Sequence, residues 1–216
     1  GEADYKLTDR LKLALGGRFS YADFNLNVFR DGAENGGVLR VRRTGNAKPF
    51  NPRASLSYQL NQLNFYATVS KGYRVGGGNA PVSQIALCGP DLQAINRDDV
   101  PGTYKPDHVW NYEVGAKGKI GGAVTFSGSL FYVQWKDIQA NVILPTCGYS
   151  YTANTGSAVS KGFEVEGSWR PLPGLTLAGN LGYTDAYYTR DILSGPTVII
   201  AKGTSLSTPK WQATIS

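Results

Sequence analysis

Leu11-Lys12-Leu13-Ala14-Leu15-Gly16-Gly17-Arg18-Phe19-Ser20-Tyr21 alternates along its whole length. Successive side chains of an extended chain point to opposite faces. Leu11, Leu13, Leu15, Gly17, Phe19 and Tyr21 therefore share one face, and Lys12, Ala14, Gly16, Arg18 and Ser20 take the other. A helix would scatter these leucines around its circumference. The stretch reads instead as a strand set between an apolar medium and a polar one.

The same rule holds downstream. Ala54, Leu56 and Tyr58 alternate with Arg53, Ser55, Ser57 and Gln59, and Phe65, Ala67 and Val69 with Asn64, Tyr66, Thr68 and Ser70. Tyr112, Val114 and Ala116 interleave with Asn111, Glu113 and Lys117; Val124, Phe126, Leu130 and Tyr132 oppose Thr125, Ser127 and Ser129. Phe163, Val165 and Trp169 oppose Glu164, Glu166, Ser168 and Arg170, and Leu175, Leu177, Leu181 and Tyr183 oppose Thr176, Asn180 and Thr184. This predicts about seven full strands with partial ones at Glu2 to Lys6 and Trp211 to Ile215, each near the ~9 to 11 residues that a tilted strand needs to cross a bilayer. Nothing reads as a helix longer than a turn or two.

The connections separate a membrane barrel from a soluble sandwich. Lys6 to Arg10, Leu60 to Leu63, Gly118 to Gly122 and Pro171 to Gly174 are tight; Asp23 to Pro49, Tyr73 to Asp107, Lys136 to Ser160 and Asp185 to Lys210 are long. Short turns on one rim and long loops on the other describe an outer-membrane barrel with its long side outward. A sandwich keeps most loops short. Tyr21, Tyr58, Tyr73, Trp110, Tyr132, Trp135, Trp169 and Tyr183 fall near expected strand ends, where interfacial aromatic girdles lie.

Composition agrees. The chain has 216 residues, 41% hydrophobic and 12% aromatic, with a mean hydropathy of −0.26. No stretch approaches the ~18 consecutive apolar residues of a spanning helix. The net charge of +6 and pI near 9.3 raise nucleic-acid binding, but only Arg40, Arg42 and Arg43 cluster, and tracking a phosphate backbone needs more. A basic surface also suits an anionic outer leaflet. Without an initiator Met or a signal segment, and stopping inside an alternating pattern at Trp211 to Ser216, the chain is expected to be a fragment with its export signal elsewhere.

Several segments resemble TonB-dependent outer-membrane receptors. Tyr66-Ala67-Thr68-Val69-Ser70-Lys71-Gly72-Tyr73-Arg74 runs into Gly76-Gly77-Gly78-Asn79, where that family commonly has an aromatic in place of Gly78. Tyr104-Lys105-Pro106-Asp107 precedes Asn111-Tyr112-Glu113-Val114-Gly115-Ala116-Lys117, with Asp107 where Glu is usual. Asn154, Gly156 and Ala158 lead to Lys161-Gly162-Phe163-Glu164-Val165-Glu166, and Gly182-Tyr183-Thr184-Asp185-Ala186 is followed by Pro209 and Trp211. The resemblance implies an antiparallel up-and-down transmembrane β-barrel of about 22 strands around a plug, with residues 1–216 forming part of that one barrel domain and the plug and signal peptide lying outside it. It implies a receptor in the bacterial outer membrane, bordered by lipid and lipopolysaccharide. Such a receptor binds a scarce nutrient, ferric siderophore first, cobalamin or oligosaccharide next, and imports it by remodelling its plug through TonB, which contacts the missing N-terminal region. A passive channel or adhesin barrel, or a soluble carbohydrate-binding β-domain, is the rival reading.

Candidate sites follow from position. Arg53, Glu113, Lys117, Glu164, Glu166 and Arg170 face the lumen, where isolated charges are costly and are expected to pair with each other or with the plug. Ligand contacts are expected in the outer loops, from Arg74, Asn79, Tyr149 and Tyr151. Glu164 and Glu166 lie two apart on one face, but nothing places a partner beside them as a hydrolase would require. His108, the single histidine, has no serine motif and reads as a strand-end polar residue. Gly76-Gly77-Gly78 lacks the strand-to-helix frame of a phosphate cradle and reads as a flexible loop turn. No metal, cofactor or enzymatic role is expected. Cys88 and Cys147 have no metal-ligand spacing; they are either a loop-to-loop disulfide or two free thiols.

Overall fold

The structure, a computed structural model, describes residues 1–33, 37–83, 85–194 and 197–216, with the backbone alone at 85, 86 and 194. Strands β1 (Glu2–Lys6) and β2 (Leu11–Phe19) are followed by a hairpin of β3 (Ala22–Arg30) and β4 (Leu39–Ala47), then by β5 (Phe50–Leu60) and β6 (Leu63–Arg74). The next excursion holds β7 (Gly77–Gly78), helix α1 (Ile85–Ala94) and β8 (Thr103–Tyr104). Strands β9 (Asp107–Ile120) and β10 (Val124–Lys136) lead to a hairpin of β11 (Gln139–Ile143) and β12 (Ser150–Asn154). Strands β13 (Ser157–Leu172) and β14 (Leu175–Tyr188) lead to β15 (Ile192–Ser194), β16 (Thr197–Ile200) and finally β17 (Trp211–Ile215).

Nine of these strands form one antiparallel sheet in the order β1-β2-β5-β6-β9-β10-β13-β14-β17. Its neighbours in space follow one another in the chain, as an up-and-down wall requires, and the sheet is not closed. Register carries the two-faced pattern from strand to strand. One row runs Leu13, Leu56, Ala67, Val114, Leu130, Phe163, Tyr183, Trp211. The row beside it includes Ser55, Thr68 and Glu113. A slip of one residue anywhere would exchange the faces.

The leucines and valines of the first row are not packed into a globular interior: Leu130 is 60% exposed, Val114 50% and Leu56 42%. Such a face is stable against hydrocarbon, where the backbone groups between neighbouring strands are already paired. Trp169 and Val124 mark its lower edge and Trp110 and Gln134 its upper edge on the shared registers. Ten residue steps at ~3.3 Å, tilted by about 40°, cover about 25 Å, the height of a barrel's apolar band. Trp110 and Tyr112 stack near the upper edge; Tyr183 and Phe163 stack in the row of Leu130, with Trp211 4.7 Å from Tyr183. Trp135 departs from the expected girdle. It lies on the opposite parity from Tyr132 and Gln134 and turns to the lumen side, where its indole N–H donates to Asp107.

The short turns are as expected, with Asn61 taking a left-handed φ of 52° between Leu60 and Leu63, a conformation asparagine tolerates better than most residues. The long excursions are built rather than loose. One corrects the sequence reading: α1 is ten residues long, longer than a turn or two. It contains Pro90, and it is held by Cys88 and Leu92, one turn apart and both nearly fully buried. Gly77–Gly78 is likewise a short strand paired to β8, not a flexible turn. The buried apolar cluster of the described residues lies in these excursions: Val82, Cys88, Leu92, Val100, Val142, Leu144 and Tyr151.

Candidate functional site

The upper ends of β6, β9 and β10 extend past the apolar band, and there the motif residues meet. Asp107, 1% exposed, accepts from Arg74 Nε at 3.1 and 3.0 Å, from Arg74 Nη2, from Trp135 Nε1 at 3.0 Å and from the Gln139 N–H at 3.2 Å. The Arg74 guanidinium also lies 4.7 Å over the Trp135 ring. Gln139 Nε2 donates to the Val75 carbonyl at 2.8 Å and the Lys105 carbonyl at 3.1 Å. Asn154 completes the layer: its amide donates to the Lys105 and Asp137 carbonyls at 2.8 and 2.9 Å, and its Oδ1 accepts from the Lys105 N–H at 2.6 Å. A charged group this deeply buried requires such saturation.

Above this base the excursions knit into one cap. Asn79 donates to the Pro101 and Thr152 carbonyls, both at 2.8 Å, and accepts from the Thr152 N–H at 2.9 Å. Cys88 and Cys147 are joined in a disulfide, with Cα atoms 5.2 Å apart. Asp91 accepts from the N–H and hydroxyl of Thr146 at 2.8 and 2.7 Å, and Tyr149 donates to the Ala80 carbonyl at 2.7 Å. Burial raises the Tyr151 phenol above its ordinary range. The β3–β4 hairpin leans on the same unit. Arg30 donates to the Pro81 carbonyl at 3.0 Å, Arg43 lies 3.6 Å from Asp99, and a Cβ on Gly78 would stand 3.1 Å from Leu26 and 3.2 Å from Arg43. The absence of an aromatic at Gly78 thus has a steric reason. On the other side Ile192 of β15, 1% exposed, packs against Gly156.

Below the cap, the lumen face is hydrophilic. A recess of about 420 Å³ is lined by Glu113, Glu164, Glu166, Ser127, Ser129 and Asn180, among others. Tyr66 crosses Gly115, where any Cβ would collide with its ring, and donates to Glu113 at 2.6 Å.

A profile of the family described as TonB dependent receptor-like, beta-barrel, matches residues 1–216. The chain belongs to this family. The TonB-dependent receptor barrel is an outer-membrane structure, and its wall is what the nine strands supply. Among solved structures the chain is similar to the ferric yersiniabactin uptake receptor FyuA from Yersinia pestis, at 23% identity and a TM-score of 0.75, covering 98% of this chain and 29% of that one. It is also similar to the siderophore receptor PiuA from Acinetobacter baumannii, at 15% identity and a TM-score of 0.70 over 98% and 29%. The copper transporter OprC matches at 14% identity and a TM-score of 0.64 over 89% and 29%. The chain thus spans under a third of the length of these structures.

Within the TonB-dependent receptor wall, the residues singled out in the sequence sort by layer. Arg74 belongs to the loop base and Asn79, Tyr149 and Tyr151 to the cap interior; the polar side-chain atoms of Arg74, Asn79 and Tyr149 bind other loop segments, and Tyr151 lies in the buried apolar cluster. Glu113, Lys117, Glu164 and Glu166 border the lumen hollows, and Arg53 is registered between Gly16 and Ser70 on that face. Arg170 sits at the short-turn rim beside a register shift. Among the described residues these six form no ion pairs with one another. His108 pairs in register with Tyr73 and Lys136 at the strand end. Gln139 and Asn154 as cross-loop staples were missed, since nothing local announces a partner tens of residues away; Asn154 did stand in a resemblance motif.

Proposed function

We propose that this chain is part of a transport receptor that imports a ferric siderophore across the outer membrane, powered through TonB, and that it has no enzymatic role. What carries the reading is the combination of a whole-length family match with a cap that is one cross-linked body over a hydrophilic lumen. A passive pore gains nothing from an elaborate mouth, whereas a receptor needs a preformed surface to hold a dilute ligand, because ordering loops at the moment of binding costs affinity. In this reading Arg74, Asn79, Tyr149 and Tyr151 fix the shape of the mouth, and Glu113, Glu164 and Glu166 face a plug. FyuA and PiuA, by their descriptions receptors for ferric yersiniabactin and siderophore, support iron chelates as the cargo class. The test is uptake of iron-55 siderophore by cells expressing the full-length protein, with and without TonB. Accumulation that stops without TonB is the expected result; accumulation that persists would mark a passive channel.

A further inference from the structure

The outer excursions pack on one another in chain order. The β3–β4 hairpin rests on the β7–α1–β8 unit, with Leu26 against Gly78 and Arg43 beside Asp99. That unit is joined to β11–β12 by Asn79 on Thr152 and by the Cys88–Cys147 bond. β15 in turn lies beside β11, with Ile192 on Gly156. The β15–β16 hairpin ends the series, and its two faces differ. Ile192, which pairs with Ile200, is buried; the next pair, Leu193 with Val198, points the other way and is 46% and 49% exposed. Exposed Ile199 stands beside them at the register shift. The hairpin is rooted at its base. The Lys202 N–H donates to Asp191 at 2.6 Å, the Tyr188 N–H to the Thr204 carbonyl at 2.9 Å and the Gly203 N–H to the Tyr188 carbonyl at 2.8 Å.

Height sets the medium around this face. Gln134, Val159 and Tyr187 share a register at the upper edge of the apolar band, and Leu193 follows Tyr187 by six positions, above the hydrocarbon. The stretch from Ile192 to Ile200 contains no charged side chain, so its free face is an apolar patch in water, which is stable only when covered. Direction names what covers it. Ile192 points back along the rim to Gly156, and Leu193 and Val198 therefore point forward, past β17, the last strand of the sheet order. In an up-and-down wall the next long excursion stands at that place. A second copy would approach from outside the wall instead. We infer that the free face of β15–β16 seats the next outer excursion of the same barrel, which lays an apolar segment on Leu193, Val198 and Ile199 and carries the cap farther round the mouth. The inference rests on the barrel and not on the cargo proposed above.

The test uses the full-length protein in mild detergent. Carbene footprinting reads burial without any variant: Leu193 and Val198 should label as weakly as Ile192, and labelling at the level of Leu87, exposed on α1, overturns the inference. In Leu193→Ser/Val198→Ser, amide exchange in the outer excursion after β17 should quicken roughly 30-fold, the effect of losing two apolar side chains from a contact, with mid-strand exchange in β13 and β14 unchanged. Unchanged exchange in that excursion overturns the inference. If the double variant loses its heat-modifiable mobility, single Val198→Thr carries the comparison. An assembly of two or more copies that the folded double variant dissolves assigns the face to a second copy. Protection of Leu193 in whole cells that vanishes on purification assigns it to a separate protein. Either of these results also overturns the inference.

Discussion

Replacing Asp107 by Ala leaves the Trp135 indole and the Gln139 amide without their acceptor. Arg74, whose side chain is 51% exposed, regains water and loses less. An unsatisfied buried donor costs about 1–3 kcal/mol, so the loop base should loosen by that order. The expected reading is faster hydrogen exchange at Gln139 and neighbouring amides with exchange in mid-strand unchanged; Asp107→Asn, which keeps an acceptor oxygen, should be milder. Gly78→Phe tests the opposite failing. With Leu26 and Arg43 already against the position, overpacking should cost about 1–3 kcal/mol and appear as protease cleavage within the β3–β4 hairpin.

Helix α1 and the β11–β12 hairpin belong to different excursions, yet they share the Cys88–Cys147 bond and one apolar cluster. Cys88→Ser/Cys147→Ser should release about 2–4 kcal/mol of constraint, with hydrogen exchange rising over residues 79–103 and 139–154 and staying flat in β9 and β10. The elements also divide by how far the sequence announces them. Strands such as β2 and β10 were legible because period-two alternation is local and lipid rewards it at each residue. α1 was not, since Gly89-Pro90 breaks any helical periodicity and the turn is held by Cys147 and Leu144 from another excursion. Likewise Asn79 reads as a loop polar residue until Thr152, 73 positions away, is placed against it. Nearness to a strand end points Trp135 to the girdle; parity, which puts Lys136 outward, turns it inward.

Across the whole wall, function depends on keeping two solvents apart. Leu130→Arg places a charge near mid-height on the lipid side and should cost about 2–4 kcal/mol, whereas Ser129→Arg, on the lumen side, should cost little. Urea titration of the refolded protein in phospholipid vesicles, followed by heat-modifiable mobility, compares the two; equal losses would defeat the two-faced reading. The cap imposes a further condition, on biogenesis. Cys88 and Cys147 are 59 residues apart and both spanning strands β9 and β10 lie between them. Thiols of exported chains are oxidised in the periplasm, before they reach the far side of the membrane. The machinery that inserts this segment must therefore accept a covalently closed ring rather than an open thread, and a hairpin already tied at its outer end enters the bilayer as a unit.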